Sequence, residues 1–479
     1  MRVTPFWVAG RAVSRDDELE VVSPSDGSVA GRVAVPTEAD VEEAVSAAAA
    51  VAGELAALPA YVRADALAHV SARLAERADE VARLITAESG KPLKWARVEA
   101  RRGASVFRWA AEEARRWSGE LQRLDTDAGS AGRVALTRRM PRGPVLGIAP
   151  FNFPLNLVAH KVAPALAVGA PIVVKPAPST PLTALLLGDL LAETDLPAGS
   201  WSVLPVPNDR MPSLVADPRL PVVSFTGSGP VGHSIRAAVP HKHVTLELGG
   251  NAAALVCPDW SSDADLDRAA ERVATFANYQ AGQSCISVQR VFADRAHFQP
   301  FVDRLVGAVE RQVVGDPADP ATDVGPLIDE TAARRVESWV LEAVEAGGKV
   351  LTGGTRDGAA YAPTVLVDVP EDAKVVREEV FGPVVVVAPV DGADEGLDRV
   401  NDSRFGLQAG VFTHDIRLAF RAHKELDVGG VVIGDVPSYR ADQMPYGGVK
   451  ESGNGREGVR AAMEDLTAER VLVLTDIAL

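Results

Sequence analysis

From residue 145 onward, short apolar, β-prone runs (145–149, 171–175, 202–205) alternate with stretches of helical periodicity (159–167, 183–193, 211–216). Strands and helices in such alternation bury their apolar faces together as a parallel sheet with helices on both sides, so the pattern predicts a doubly wound α/β fold. A second α/β pattern runs from 251 to about 446, with helices expected near 266–279, 298–313 and 331–346. Ahead of both, residues 1–36 read as short strands and turns, and 38–56, 61–89 and 93–117 as helices, with Thr37 the N-cap of the first.

A chain of 479 residues, 47% hydrophobic and 24% charged, has room for two or three domains. Its longest apolar runs, such as 384–387, fall far short of the roughly 18 residues that a membrane span takes. Residues 1–7 show no signal-peptide pattern, so the expected compartment is the cytoplasm and no membrane is expected as a partner. A net charge of −16 argues against nucleic acid, because phosphate binding needs a basic stripe. Cys257 and Cys285 have neither CxxC spacing nor a histidine cluster beside them; they read as free thiols, and no metal site is expected. Cys257, after the apolar run 252–256, reads as a buried thiol.

Between the strand-like 222–225 and a helix, residues 227–232 spell GxGxxG, with Glu247 about twenty residues further on. A dinucleotide fingerprint would place Glu247 on a ribose, but a lone GxGxxG is weak. Ser228 and the first helical amides suit a pyrophosphate at the positive end of a helix. Two other segments carry chemistry: Leu246-Glu247-Leu248-Gly249-Gly250, and Phe276-Ala277-Asn278-Tyr279-Gln280-Ala281-Gly282-Gln283-Ser284-Cys285. A cysteine is nucleophilic even at a few per cent thiolate, and a carboxylate can activate the water that releases a thioester. Asn152, between Phe151 and Phe153 and flanked by two prolines, suits either a turn that satisfies its own loop or an amide aimed at a developing oxyanion.

With Pro150-Phe151-Asn152-Phe153-Pro154, Lys175-Pro176-Ala177, Phe225-Thr226-Gly227-Ser228, Glu378-Glu379-Val380-Phe381-Gly382-Pro383 and Met444-Pro445-Tyr446-Gly447-Gly448, the chain resembles the aldehyde dehydrogenase superfamily over nearly its whole length. The surroundings of Cys285 and Arg440 look most like its lactaldehyde dehydrogenase subgroup. The resemblance implies a Rossmann-type dinucleotide-binding domain (1–118 and 141–250), an α/β catalytic domain (251–450) and a small β oligomerisation element (119–140 and 460–479). It also implies a strand at 470–474 that joins an intermolecular sheet, hence a homodimer or homotetramer. Cys285 becomes the nucleophile, Glu247 the base, and Asn152 with the Cys285 N–H the oxyanion donors. The 247-to-285 segment is about four residues longer than the resemblance suggests, and the excess falls in 257–262.

For the cofactor, the resemblance puts Lys175 on the adenosine ribose, Ser228 on the pyrophosphate and Glu379 on the nicotinamide ribose. Phe381 packs nearby, and Phe151, Phe225, Gly227 and Gly249 complete the surface. Pro178 stands where many NAD-preferring relatives carry an acid. Losing that carboxylate removes the repulsion of a 2′-phosphate, so NADP or dual use with NAD is expected.

The substrate tunnel is expected from Phe153, Ser284, Ile286, Tyr446, Arg102 and Arg440. Arg102 lies on a helical stripe with Val98, Ser105 and Trp109 and is expected to face inward. Both arginines suit either an anionic aldehyde or structural carboxylates. The reading is oxidation of a small polar, anionic or hydroxylated aldehyde to its acid by a cysteine thiohemiacetal and thioester. Acyl transfer to coenzyme A is the alternative within enzymes, disfavoured by Glu247. A cysteine hydrolase using His233, His241 or His243, and a catalytically dead binding scaffold, are the alternatives of other classes.

Overall fold

Five apolar segments, Val145–Ile148, Ile172–Lys175, Trp201–Val203, Val222–Thr226 and His243–Glu247, form the parallel heart of an eight-stranded sheet in the computed structural model, which describes residues 3–476. The order runs His243–Glu247, Val222–Thr226, Val145–Ile148, Ile172–Lys175, Trp201–Val203. The chain thus winds outward in one direction from Val145–Ile148 and then crosses to its other side. Ligands of such sheets sit at that switch point, beyond the carboxyl ends of the strands. Register places Ile148 opposite both Lys175 and Phe225, and Thr226 opposite Glu247, so one rim gathers the residues that matter. Phe6–Val8 and Arg11–Val13 extend one edge, and Gly453–Asn454 pairs antiparallel with the other.

The second sheet has seven strands, ordered Lys349–Thr352, Thr364–Val367, Val384–Val390, Arg290–Asp294, Ala253–Val256, Gln408–Phe412, Gly430–Ile433, and only the first is antiparallel. Helices Asp263–Asn278, Phe298–Glu310 and Glu330–Glu345 cover it, close to the expected positions. Residues 248–252 alone separate Glu247 from Ala253, so the carboxyl rim of the first sheet is joined to the amino rim of the second. The longer segment 257–262 leaves the opposite, carboxyl end of Ala253–Val256, where Trp260 packs on Phe412 and His414. The extra residues therefore do not touch the junction.

Two sequence expectations change. The helix expected over 61–89 is two, Ala60–Glu76 and Ala78–Ser89, broken at Arg77, where ψ turns to 16°. Apolar spacing continues across the break, but Arg77 leaves the helix and pairs with Glu80 in the next first turn. The stripe of Val98, Arg102, Ser105 and Trp109 on helix Leu93–Arg116 is a half-buried margin; the buried face is made by Ala96, Glu99, Ala100, Gly103 and Phe107. Alanine and glycine let neighbouring helices approach there, which pushes the bulkier residues to the flank. The C-terminal strand expected at 470–474 is present as Thr467–Thr475 and lies antiparallel on Arg133–Pro141 of its own chain, with Glu120–Arg123 beyond. Among the described residues no strand lies on its outer edge, and no single helix is long and apolar enough to cross a membrane.

Candidate active site

Helix Asp263–Asn278 points its C-terminus into the junction between the sheets and stops at Tyr279, whose ψ of 139° ends the helical path. Gln280, Ala281 and Gly282 follow with φ of 54°, 54° and 71°. Left-handed backbone at two non-glycine residues costs on the order of 1 kcal/mol or more each, and such strain survives only where surrounding structure holds it. Here the Gln280 amide donates to the Asn152 carbonyl, and the Gln283 amide donates to the Gln280 carbonyl at 3.1 Å. A side chain at Gly282 would strike the Gly382 backbone. This bent loop presents Cys285 partly exposed, while Cys257 is buried just beyond strand Ala253–Val256, with a thiol pushed up to about 12 by burial.

The Cys285 sulfur lies 2.9 Å from the Tyr446 hydroxyl. Burial pushes the thiol up to about 12, against the downward pull of that hydrogen bond. Ile286, Leu407 and Tyr446 form an apolar wall beside it. Ser284, directly before the cysteine, is buried, and its hydroxyl accepts from Tyr279 at 2.6 Å. The Cys285 N–H has no hydrogen bond among the described residues.

Asn152 arrives from the first sheet, on the loop after Val145–Ile148. Glu99, buried and paired with Lys91, accepts from the N–H groups of Leu155 and Asn156 at 3.0 and 3.1 Å and so anchors the start of helix Asn156–Val168. Asn152 is buried and donates one amide hydrogen to the Gln283 carbonyl at 3.0 Å, two residues before the nucleophile candidate. An amide carries two hydrogens, so one remains. Phe153 receives the Lys91 ammonium over its ring at 4.1 Å.

Glu247 ends its strand with a buried carboxylate, and neither oxygen has a hydrogen-bond partner in the protein. Burial, then the nearby Glu457, raises its pKa well above the ordinary carboxylate range, while Arg440 and Lys161 pull it down. A buried carboxylate held back from ionising is suited to proton transfer.

The dinucleotide surface lies on the same rim. Lys175 is buried, its pKa lowered to about 8 by burial, and its ammonium donates to Asn208 at 2.6 Å. Pro178 is half-buried three residues on. Ser228 caps helix Gly229–Ala238 without using its side chain, leaving its hydroxyl and the Gly229 N–H, ahead of Pro230, at the positive end of the helix. Phe225 is buried under Gly227, where a Cβ would meet its ring at 2.6 Å. Glu379 accepts from the Gly250 N–H at 2.9 Å and is raised to about 7 by burial; a side chain on Gly249 would run into its carboxylate. Phe151 and Phe381 meet edge to face at 5.9 Å. A lysine, a helix N-terminus, a second carboxylate and glycines that keep the floor low fit a nicotinamide dinucleotide.

Residues 8–472 match the aldehyde dehydrogenase family. The chain belongs to that family. It is 42% identical to the 3-sulfolactaldehyde dehydrogenase of Priestia aryabhattai over 98% of this chain and 97% of that one. Aldehyde dehydrogenase 21 of Physcomitrella patens, solved with its reaction product succinate, superposes with a TM-score of 0.97 at 43% identity, covering 99% of both chains. The glyceraldehyde-3-phosphate dehydrogenase GapN of Methanocaldococcus jannaschii, solved with NADP, gives 0.91 at 34% identity, over 97% of this chain and 100% of that one. The α/β fold and the NAD(P)-dependent aldehyde dehydrogenase character read from the motifs follow from this membership.

In this aldehyde dehydrogenase both arginines find carboxylates. Asp442 takes Nε and Nη2 of Arg102 at 3.1 and 2.9 Å, and Glu457 takes Arg440 at 2.9 Å. The Arg102 side chain keeps 25% exposure, whereas that of Arg440 keeps 7%. Sequence reasoning missed the charged cluster behind Glu247. Lys161, buried in helix Asn156–Val168, donates to Ser224 and Thr226 at 3.1 and 2.7 Å and stands 3.7 Å from Glu457. Arg440 and Lys161 hold Glu457 at about 2 despite its burial. The available signal was a lone His160-Lys161 pair in an otherwise apolar helical run.

Proposed function

We propose that this enzyme oxidises a short, anionic aldehyde to its carboxylic acid with NADP or NAD, through acylation of Cys285. The observation that carries the reading is the Glu247 carboxylate, buried and without a protein partner at the same junction as Cys285. The Cys285 sulfur attacks the aldehyde carbon and forms a thiohemiacetal. The remaining Asn152 amide hydrogen and the free Cys285 N–H hold the oxygen as charge develops. A bound nicotinamide would supply the two-electron oxidant that takes this carbon from the thiohemiacetal to the thioester level on Cys285. Lys175, Ser228 and Glu379 would hold the dinucleotide. Glu247 then removes a proton from water, which cleaves the thioester.

Support for NADP comes from Pro178, which offers no carboxylate to repel a 2′-phosphate, and from GapN, solved with NADP. Support for an anionic substrate comes from Arg102, part exposed and holding Nη1 outside its bonds to Asp442, and from the relatives: sulfolactaldehyde, glyceraldehyde 3-phosphate and succinate are all short and anionic. The Thr467–Thr475 edge, with Val471, Leu472 and Val473 about half exposed, supports pairing with a second copy, and the free thiols suit the cytoplasm. The test is a panel of short sulfonated, phosphorylated, carboxylated and neutral aldehydes, each with NAD and NADP and without added thiol. Acid formation fastest on a charged member is the expected outcome. A requirement for coenzyme A, or preference for neutral aldehydes, would overturn the reading.

A further inference from the structure

Tyr446 lies in the wall beside Cys285, yet its hydroxyl is aimed at the sulfur, 2.9 Å away. The ring is 4% exposed and packed by Ile286 and Leu407, so the hydroxyl has little freedom to turn elsewhere. On the ring sits the Arg440 guanidinium, 3.9 Å from the centroid, held in turn by Glu457 at 2.9 Å. A cation on the face of a phenol draws electron density from the ring and makes the O–H a better donor.

We propose that the Tyr446 hydroxyl is a catalytic hydrogen-bond donor to the Cys285 sulfur, primed by the Arg440 guanidinium on its ring. It rests on Cys285 being the nucleophile of the proposed reaction. While the sulfur is a thiol either atom donates; once it is a thiolate only Tyr446 does. Burial raises the Tyr446 hydroxyl well above its ordinary value, so it keeps its own proton and acts by donation, not by transfer. The thiol proton leaves to water, and no bond to Tyr446 is made or broken. When the sulfur attacks the aldehyde carbon its charge passes to the carbonyl oxygen, the hydrogen bond to sulfur weakens, and Asn152 takes over.

Other groups bear on the same sulfur. Glu379 and Glu247 disfavour the thiolate and Arg440 favours it. Arg102 acts with Arg440 on the neighbouring Tyr279 hydroxyl, which is itself bonded to Ser284. Lys161 and Glu457 lie behind Glu247. Tyr446 is the side-chain hydroxyl in direct contact with the sulfur, so its removal leaves the surrounding charges in place.

The experiment is the pH dependence of Cys285 alkylation by iodoacetamide, read by mass spectrometry of the Cys285 peptide in the intact enzyme, with Cys257 as the buried internal control. Tyr446→Phe should move the midpoint upward and slow alkylation at pH 8 roughly tenfold or more, the scale of a hydrogen bond to a charged group. Tyr446 replaced by 3-fluorotyrosine, a stronger donor of nearly the same size, should move it downward. The Phe variant is checked by its melting temperature and by NADP binding; if it does not fold, the fluorinated enzyme decides alone. A midpoint unmoved in every folded variant would overturn the inference while leaving the proposed reaction standing. Turnover by Cys285→Ala would instead overturn the proposed reaction.

Discussion

The Gly227 N–H donates to the Glu247 carbonyl at 3.1 Å, directly beyond the paired strand residues Thr226 and Glu247. One backbone bond thereby ties the loop that would carry the dinucleotide to the residue that would activate water. The GxGxxG spacing would place the Glu247 carboxylate on a ribose. Instead its side chain lies beside Gly447, where a Cβ would come within 3.0 Å of it, and the charges that act most on it are those of Glu457, Arg440 and Lys161. Adjacent parallel strands end level with each other, so the proposed cofactor surface and the proposed base would share a rim without sharing a residue.

Cys285→Ala should abolish aldehyde oxidation and leave cofactor binding nearly intact, because the sulfur is lost and the Lys175, Ser228 and Glu379 surfaces are untouched. Steady-state assay with a titration of NADP fluorescence separates the two. Turnover above a few per cent of the parent enzyme would show that the thiol is not the nucleophile.

Glu247→Gln should reduce one equivalent of cofactor per active site and then stall, with the acyl group trapped on Cys285 and visible as a mass increase. Continued turnover at the parent rate would make Glu247 a structural carboxylate.

In the parent enzyme, hydrolysis of the acyl group from Cys285 should accelerate as pH rises and Glu247 loses its proton. Burial, aided by Glu457, raises Glu247, so the protonated form persists where a free carboxylate would be charged. The folded protein therefore binds a proton that the unfolded chain has released, and this group makes stability fall as pH rises from about 4 towards the folded pKa. Deacylation rates measured on preformed acyl enzyme, together with melting temperatures, give both slopes, and Glu247→Gln should flatten both. Deacylation independent of pH would contradict the assignment.

Pro178→Glu should raise the NAD/NADP ratio of kcat/KM, since a carboxylate there would accept from ribose hydroxyls and repel a 2′-phosphate. The effect should be tenfold or so, about 1.4 kcal/mol of discrimination. An unchanged ratio would mean that Pro178 faces away from the ribose.

Arg102→Met keeps much of the stem and removes the charge. It should raise KM for a sulfonated, phosphorylated or carboxylated short aldehyde by roughly 1–3 kcal/mol while leaving a neutral one such as propanal little affected. The side chain is part exposed, which holds the figure below that of a dry ion pair. Equal losses on charged and neutral aldehydes, with a lower melting temperature, would make Arg102 only the partner of Asp442.

The local order of strand and helix, the Cys285 and Glu247 motifs and the oxyanion candidate Asn152 were legible because each is a short-range pattern: periodicity reports which faces are buried, and a turn or nucleophile loop is written in adjacent residues. Partners are a different matter. Nothing near Arg77 in sequence marks the break between two helices, and nothing near residue 470 marks pairing with Arg133–Pro141, more than 300 residues earlier. Lys161, Arg440 and Glu457 come from a helix and two late loops, and only chain closure puts them behind Glu247. The same holds for Arg102, whose stripe announced a face but not Asp442. The sequence by itself determined most of the elements and named the candidate reactive groups. The tertiary structure decided which charges meet, because burial makes a charge costly wherever it falls and only its distant partner determines what that charge can do.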